Sequence, residues 1–415
     1  MTTSTDGNSK RPSLRIIWIS SIILDLDAHF HKTSQIEILK HLSQLGHDVY
    51  FITRRSKKRN EWKNFNFHVV AIPIRYVQIV AQIIYGLFLT LFLPLYIIKK
   101  RPNIIVTDPV IPIFSFFWKP VISRFVKFKM ILDIRSTPVA TSGLSGVLRI
   151  FQFNISAQCT KIIFDGLTII TSAMRKEVCE KFNLTPKSVG VWSSAASTEL
   201  FDYEKNVHYG YELRNKFGLS NKFVVFYHGT LAKTRGIIQS IEAIMIVKKK
   251  YPDIVLFLLG ASSDTYFLKN VIQKCGVQEN VFLHDSVDYK EVPKYIALSD
   301  IGIVPLPNIP DWRNQCPLKL LEYLAMKRPV IVTDIPANRE VVREEKCGIY
   351  VSPCDPVEIT KGLAKAMEYA YENKEELKRW GELGRTIIDH EYNWNESAKN
   401  LETYLLKVMS QSSGQ

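Results

Sequence analysis

Cys316-Pro-Leu-Lys-Leu-Leu-Glu-Tyr-Leu-Ala-Met-Lys-Arg-Pro-Val-Ile-Val-Thr-Asp334 gives the clearest indication of the fold class of this chain. Pro317 suits the first position of a helix, because its missing N–H would have no partner there. The residues that follow are good helix formers, and Arg328-Pro329 ends the predicted helix. Val330–Thr333 is then typical of a short buried strand. The stretch therefore predicts a helix leading into a strand, the repeating unit of a doubly wound α/β sheet.

The tip of this predicted helix has the chemistry of an anion site. A helix N-terminus offers free backbone N–H groups and a partial positive charge. Lys319 adds a full cation in the first turn, where the helix dipole disfavours one. Glu322 follows three residues later on the same face. The arrangement fits a nucleotide diphosphate whose phosphate lies at the tip and whose ribose is bound by Glu322.

The block P-x-K-x-x-E-Y-x-A-x-x-x-P-V-I-x-T-D resembles the donor-binding segment of retaining glycosyltransferases of family 4, the group 1 glycosyl transferases. The resemblance implies α/β GT-B architecture, in which two Rossmann-like doubly wound domains face a cleft and a C-terminal helix packs back on the first. It also implies a nucleotide-diphosphate sugar as donor, with Leu318, Lys319 and Leu320 among the donor-binding residues.

Patterns along the rest of the chain agree with two domains, and 415 residues are too many for one ordinary core. Strand-like runs occur at 14–20, 48–53, 103–107, 129–134 and 167–171 in the first half, and at 222–228, 254–260, 281–284, 301–305 and 330–333 in the second. The predicted division is a disordered tail over 1–13, a first, acceptor-binding domain over 14–200, a linker over 201–221, a donor-binding domain over 222–388 and a crossover helix with its tail over 389–415.

Positive charge is concentrated in the first half. Residues 1–200 hold 26 Lys and Arg against 12 Asp and Glu, whereas the remainder holds 28 of each. A basic half suits an anionic membrane, a phosphorylated substrate or nucleic acid. No zinc-finger, helix-turn-helix or aromatic RNA-binding signature accompanies the charge, so we expect no nucleic acid as partner. Six scattered cysteines without a C-x-x-C pair indicate reduced thiols, and the polar N-terminus is unlike a signal peptide.

An apolar segment over 77–98 is the unusual element of the first half. Its length would suffice to span a bilayer. However, it contains Gln78, Gln82 and Pro94, both flanks are basic, and the strands on either side must join one sheet. Three interpretations stay open: a helix in the membrane interface, a core helix of the domain, or a true span. An aromatic and basic stretch over 111–129 follows, so we expect the first domain to contact a membrane.

A loop with glycines and cations, His228-Gly-Thr-Leu-Ala-Lys-Thr-Arg-Gly236, follows the first predicted strand of the second domain. Gly229 would let the backbone approach a diphosphate, and Lys233 and Arg235 would neutralise it as the leaving group departs. The loop is similar to the family's G-[RS]-L-x-x-x-K-G, with Arg235 at the Lys position. Thr230 stands where the family often has Arg, so one cation is missing or replaced by Lys233. The alternative is a basic surface turn.

Further donor contacts come from the resemblance. The segment 280–287 is similar to the family's N-V-x-F-x-G-x-V, whose main chain near Val287 lies by the nucleotide base. The family's two glutamates, spaced E-x7-E, fall on Asn314 and Glu322. An amide can bond sugar hydroxyls but cannot act as a carboxylate. We therefore expect front-face retention, in which a diphosphate oxygen helps to deprotonate the acceptor and no protein nucleophile is needed.

The acceptor side is predicted in the first domain. His29 and His31 follow the first strand, where they contact the acceptor or lie in a solvated loop. Asp133 and Arg135 form a D-I-R segment similar to that of relatives with lipid acceptors; Arg135 would hold an acceptor phosphate, or the two form a structural pair. Asp25-Leu-Asp27 matches a metal-binding D-x-D, but such short matches are common by chance, and GT-B relatives are typically metal-independent.

These observations predict a retaining glycosyltransferase that acts without a metal cofactor on the cytoplasmic face of a membrane. We expect a lipid-linked glycan acceptor, with a polyprenyl carrier favoured, in the synthesis of surface polysaccharide or another glycoconjugate. The catalytic residues of this hypothesis are Arg235, Lys233 and Glu322. Two other classes stay open: a catalytically silent GT-B scaffold subunit, and a non-hydrolysing nucleotide-sugar epimerase, which would need acid/base carboxylates on both sides of the cleft.

Overall fold

The computed structural model describes residues 12–23, 30–55, 65–74, 78–138, 144–262, 264–343 and 347–411. The tail predicted over 1–13 therefore lies almost wholly outside the described residues. All six cysteines are free, as the sequence indicated.

The first domain is built on a parallel sheet. Its strands among the described residues are β1 (Arg15–Ile23), β2 (Asp48–Arg55), β3 (His68–Pro73), β4 (Ile104–Thr107), β5 (Lys129–Ile134), β6 (Gly166–Ile169) and β7 (Val189–Val191). They lie in the order β3-β2-β1-β4-β5-β6-β7. The order reverses between β1 and β4, and loops at the carboxyl ends of the strands beside such a switch point bind ligands in doubly wound folds.

Helices cover both faces of this sheet. They are α1 (Phe30–Gln44), α2 (Gln78–Lys100), α3 (Lys119–Ile122), α4 (Leu144–Gln158) and α5 (Ser172–Phe182), with a short 3-10 helix over Ile113–Phe116. The apolar runs of the strands, such as Ile16–Ile19 in β1, are buried because helices pack on both sides.

Helix α2 contains the apolar segment predicted over 77–98. Its inner face is buried in the domain core and consists of residues four apart: Ala81, Tyr85, Leu89, Leu93 and Ile97. Its outer face is also apolar but exposed. Within the described ranges, residues 80–100 are the one helix long and apolar enough to cross a membrane. Because the inner face packs against the sheet, the structure favours a core helix with one bare apolar side over a true span.

The second domain repeats the architecture. Its elements are α6 (Tyr203–Lys216), β8 (Phe223–His228), α7 (Ile237–Val247), β9 (Ile254–Leu259), α8 (Thr265–Lys274), β10 (Val281–His284), α9 (Val292–Ala297), β11 (Ile301–Val304), α10 (Leu318–Ala325), β12 (Val330–Thr333), α11 (Pro336–Val342), β13 (Gly348–Val351), α12 (Pro356–Glu372) and α13 (Lys374–Glu391). The described strands form one parallel sheet in the order β10-β9-β8-β11-β12-β13. The predicted linker over 201–221 is largely helical, because α6 occupies most of it and packs on α9.

A final helix, α14 (Trp394–Ser410), returns to the first domain. The Tyr404 hydroxyl donates to the Ser188 carbonyl (2.6 Å) and accepts the Leu167 N–H (3.0 Å). Glu402 lies 3.2 Å from the ring of His47, and both side chains are buried. The prediction that the C-terminal helix packs back on the first domain is therefore confirmed.

The predicted strands are all present, within a few residues at their ends. The sequence did not indicate β3, β7 and β13. β3 and β13 are partly exposed edge strands, and β7 has only three residues. The predicted start of α10 was one residue too early. Pro317 is the N-cap, with an extended backbone (φ −75°, ψ 124°), and the helix begins at Leu318.

Candidate functional site

The candidate site lies at the switch point of the second sheet. The strand order reverses between β8 and β11, so the loops that follow these strands meet at one edge. Gly236 ends the first of these loops in a left-handed conformation (φ 74°). A Cβ atom there would lie 2.0 Å from the carbonyl oxygen of Pro305, in the second loop. Only glycine allows this approach, which holds the two loops against each other.

Lys319, in the first turn of α10, points into this junction. Its side chain is 7% exposed, and its Nζ has no hydrogen-bond partner among the described residues. The ammonium lies 3.7 Å from the centroid of the Tyr227 ring. It is also 3.3 Å from the position that a Cβ atom would take on Gly229, whose φ is 111°. An unpaired buried cation beside a glycine backbone is the arrangement expected of an anion site.

Arg235 brings a second cation to the same place. Its guanidinium lies over the ring of Trp312, 4.4 Å from the centroid, and the Trp312 indole N–H donates to the Thr234 carbonyl (3.1 Å). Burial, together with the charge of Arg235, lowers the pKa of Lys319 well below its usual value. The two side chains therefore lie close enough for their charges to repel each other, and a bound diphosphate would relieve this repulsion.

Glu322, one turn further along α10, is fully buried and held by two side chains. The Tyr289 hydroxyl donates to Oε1 (2.8 Å), and the ring Nε2 of His228 lies 3.1 Å from Oε2. Burial lowers the pKa of His228, although its bond to Glu322 opposes this. Burial and the neighbouring carboxylate raise the pKa of Tyr289 well above its usual value. The carboxylate therefore belongs to a fixed, buried triad.

The structure does not bring Lys233 to Lys319 and Arg235. Its Nζ lies 3.6 Å from the Asp264 carboxylate and 3.5 Å from the centroid of the Phe267 ring, on α8 and its N-cap. The catalytic role assigned to Lys233 stays a prediction that no geometry here supports.

The other predicted donor residues have different surroundings. Thr230 is exposed, and its carbonyl accepts the Tyr227 hydroxyl (3.1 Å). Leu320 is fully buried in the core, whereas Leu318 packs against the cluster of Trp18 and Trp192 in the first domain. Val287 is half-buried against the core. For these residues, the donor-binding role stays a prediction.

Asn314 forms a contact between the domains. Its side-chain amide donates to the Glu177 carboxylate on α5, and its backbone carbonyl accepts a hydrogen bond from the Thr171 hydroxyl (2.6 Å). Beside it, the Glu340 carboxylate accepts the backbone N–H groups of Ser172 and Ala173, the first residues of α5. The predicted donor ligand is thus engaged with the first domain, at the N-terminus of one of its helices.

Asp133 and Arg135 are both held in place by contacts with Trp192. Asp133 is buried and accepts hydrogen bonds from the Thr168 hydroxyl (2.7 Å) and the Trp192 indole N–H (2.9 Å). The guanidinium of Arg135 stacks on the Trp192 ring, 3.4 Å from its centroid, and donates to the Trp192 carbonyl (2.6 Å). Burial lowers the pKa of Arg135 to about 10 and raises that of Asp133. These contacts do not decide between the two interpretations, because Nη2 of Arg135 is buried without a hydrogen-bond partner among the described residues; the acceptor-binding role of Arg135 stays a prediction.

The remaining predictions on the acceptor side cannot be placed. His29 and the D-x-D match at Asp25-Leu-Asp27 lie outside the described residues, as does the side chain of His31 in the first turn of α1. Within the described ranges, no three His, Cys, Asp or Glu side chains are grouped to hold a metal ion. Independence from a metal stays a prediction.

Sequence reasoning missed the residues that support the site: His228, Tyr227, Trp312, Tyr289 and Glu177. His228 and Tyr227 stand directly before Gly229, so the strand end itself was a signal. Tyr289 and Glu177 come from segments that are distant along the chain, so no local sequence pattern predicts their place in the site.

Comparison with known proteins agrees with this architecture. Residues 211–386 match the family model described as "Glycosyl transferases group 1". The alpha-D-kanosaminyltransferase of Streptomyces kanamyceticus is 22% identical over 57% of this chain and 58% of its own length. The chain spans half to two thirds of the length of the curated relatives it matches first.

Solved structures share the fold along nearly the whole chain. HepE of Anabaena in complex with UDP superposes with a TM-score of 0.73 at 11% identity, covering 95% of this chain and all of HepE. WaaG, a glycosyltransferase involved in lipopolysaccharide biosynthesis, superposes with a TM-score of 0.68 at 14% identity, also covering 95% of this chain and all of WaaG. The predicted GT-B architecture and the resemblance to group 1 glycosyl transferases are confirmed.

Proposed function

We propose that the protein transfers a sugar from a nucleotide-diphosphate donor to an acceptor hydroxyl, because residues 211–386 of its second domain match the group 1 glycosyl transferase family model. The observation that carries the proposal is Lys319, a buried cation without a hydrogen-bond partner in the described chain, beside Arg235 and the main chain of Gly229. This site lies where a doubly wound sheet binds phosphates.

The proposed chemistry uses these cations on the leaving group. The bond between the anomeric carbon and the β-phosphate oxygen breaks while Arg235 and Lys319 neutralise the charge that develops on the diphosphate. The acceptor oxygen attacks from the same face, and its proton passes to a diphosphate oxygen, which gives retention. We assign the ribose hydroxyls to Glu322, whose carboxylate is oriented by Tyr289 and His228. Each carboxylate oxygen can accept a further hydrogen bond.

We propose that the acceptor is a glycan or lipid at the cytoplasmic face of a membrane, where the protein binds peripherally. Two features of the first domain support this. Leu91 and Leu95 on the outer face of α2 are 77% and 72% exposed, and Phe117 and Phe125 near α3 are exposed as well. A large exposed apolar surface of this kind marks a site of interaction. The excess positive charge of residues 1–200 would attract anionic lipids.

A donor screen tests the proposal. The protein is incubated with UDP-, GDP- and ADP-sugars, hexoses and N-acetylhexosamines alike, with and without native membranes, and release of nucleoside diphosphate is measured. We expect release with one nucleotide, stimulated by membranes and unchanged by a chelator, and a product whose anomeric configuration by NMR matches that of the donor. A silent scaffold subunit predicts no release with any donor, and an epimerase predicts an altered sugar without membrane stimulation.

A further inference from the structure

A cavity of about 350 Å³ lies in the first domain between α2, the 3-10 helix after β4, and α4. This volume is in the range of small-molecule sites, about 300–1,000 Å³. Its walls are mostly aliphatic and aromatic, and the apolar residues that form them include Ile83, Pro112, Phe114, Leu148, Phe151 and Ile155. Arg149 is the charged residue in the lining. A cavity of this composition suits a hydrocarbon chain with an anionic group.

Hydrogen bonds fix the walls of the cavity. On one side, the Gln152 amide of α4 donates to the Val110 carbonyl, and the Ser156 hydroxyl donates to the Pro109 carbonyl (3.2 Å). On the other, the Ser115 hydroxyl donates to the carbonyl of Gly86 on α2 (3.2 Å). A Cβ atom on Gly86 would lie 2.8 Å from the Phe114 ring, so α2 approaches this wall as closely as it can. Hydrogen bonds therefore join the three elements that form the cavity: α2, the 3-10 helix with the loop before it, and α4.

The position of the cavity connects the sheet edge with the apolar surface. Its wall continues the loop after β4, and β4 flanks the switch point of the first sheet. Asp108 at the start of that loop accepts the Ser21 N–H (2.7 Å), which ties it to the end of β1. At the opposite side, Ile83 and Phe151 are largely exposed and adjoin the outer faces of α2 and α4. A chain in the cavity would run from the predicted acceptor side toward a membrane.

We propose that this cavity binds the hydrocarbon chain of the acceptor, a prenyl phosphate whose phosphate lies near Arg149. The proposal rests on the proposed function, because it takes the transferase to act on a lipid-linked acceptor. It extends that function by naming the residues that bind the hydrocarbon chain of the carrier. The same fixed cavity would select a single flexible chain over the paired chains of bulk membrane lipids.

Binding of prenyl monophosphates of increasing length to the full chain tests the proposal. Geranyl, farnesyl and geranylgeranyl phosphate are titrated calorimetrically below their micelle concentrations. Full burial of one methylene tightens binding roughly fourfold, so an isoprene unit that is buried only in part should still raise the affinity at least about tenfold until the cavity is full. Leu148→Trp, which fills the cavity, should abolish this rise. Ile150→Trp is the matched control, because Ile150 lies on the same helix and is exposed, but does not line the cavity.

Three results would overturn the proposal: no dependence on chain length in the wild type, the same rise in Leu148→Trp and wild type, or equal binding of a monomeric short-chain phosphatidylglycerol. Ile83→Trp, from the opposite wall on α2, repeats the test should Leu148→Trp lose its cooperative thermal transition. Donor turnover is measured on the same samples. Absence of a length dependence in the wild type, with donor turnover intact, contradicts the cavity proposal alone, whereas absence of turnover with every donor contradicts the proposed function.

Discussion

At the scale of single residues, the site depends on cations that the protein places where folding alone would not favour them. Lys319 occupies the first turn of α10, next to the positive end of the helix dipole, and is buried beside Arg235. Desolvation of an unpaired charge costs stability. A ligand that carries negative charge would compensate this cost, which is why we propose that Lys319 binds the diphosphate of the donor.

Lys319 should couple donor binding to proton uptake. Its pKa is lowered in the free protein, and a bound diphosphate should raise it again. Between the two pKa values binding therefore takes up a proton, and affinity falls as pH rises through that interval. Calorimetric titration of the cognate nucleoside diphosphate, in buffers of different ionisation enthalpy, measures this uptake directly.

Two variants control for the role of Lys319. Lys319→Arg keeps its charge at all accessible pH values and should bind without proton uptake. Lys319→Met should lose about tenfold to a hundredfold in affinity, as expected for hydrogen bonds to a charged group worth about 1.5–3 kcal/mol. A binding enthalpy that does not depend on the buffer, with equal affinities in all three proteins, would refute the assignment.

Asn314 should act through its contact with the first domain. Asn314→Glu would place two carboxylates against each other, since the native amide donates to Glu177. We expect transfer to fall by about tenfold, from a repulsion of roughly 1–2 kcal/mol at a partly exposed pair. The double variant Asn314→Glu with Glu177→Gln restores a donor and an acceptor and should recover most of the activity. Steady-state kinetics of the four proteins measure this coupling, and failure of the second substitution to rescue would contradict it.

Some of these residues could be predicted and others could not. Gly229, Arg235 and Lys319 lie in short motifs next to strand ends, so their convergence follows from topology. The direction of Lys233 depends on a 3-10 turn and on the distant partners Asp264 and Phe267. The bond from Asn314 to Glu177 crosses 137 residues of sequence and both domains, so no local pattern contains it.

At the scale of elements, α2 has one apolar face inside the domain and one outside. Hydrophobic burial explains the inner face, but nothing within the described chain covers the outer one. Sequence periodicity could not distinguish these faces, because both consist of apolar residues. The strands were easier to predict, since central parallel strands are continuous apolar runs, whereas the edge strand β3 is half-exposed.

The outer face of α2 should control membrane binding. Leu91→Glu combined with Leu95→Glu should lower co-sedimentation with anionic vesicles more than tenfold. Each leucine that becomes buried in the membrane contributes about 1.5–3 kcal/mol to the free energy of binding. Both side chains are largely exposed in the protein, so the free energy of unfolding should change by less than about 0.5 kcal/mol.

Tyr266→Glu is the matched control for this experiment, because Tyr266 is as exposed as Leu91 (77%) but lies on α8 of the second domain. It should leave vesicle binding unchanged. If the α2 variant sediments with vesicles as well as the wild type does, the outer face does not contact the membrane.

At the scale of the whole molecule, α14 joins the end of the chain to the first domain and holds the two domains in one unit. Gly166 and Gly190 leave room for the Tyr404 ring, which a Cβ atom on either would strike. The packing of α14 on the first domain was predicted from the family resemblance and not from a local sequence pattern, because the sequence of an amphipathic helix does not show which surface the helix packs on.

Tyr404→Phe should weaken the docking of α14. It leaves the buried Leu167 N–H without its acceptor, at a cost of about 1–3 kcal/mol in the free energy of unfolding. Urea denaturation measures the change, with the exposed Tyr211→Phe as control. A loss below about 0.5 kcal/mol would show that the hydroxyl does not hold this helix.

Whether Arg235 acts on a diphosphate leaving group can be measured as the release of nucleoside diphosphate from the cognate donor in the presence of membranes. Arg235→Ala should lower kcat by about 10²–10³-fold, as for loss of one preorganised donor at a developing charge. Lys233→Ala, on the same loop but turned toward Asp264, should stay within a few-fold of the wild type. Equal turnover of Arg235→Ala and the wild type would contradict the account.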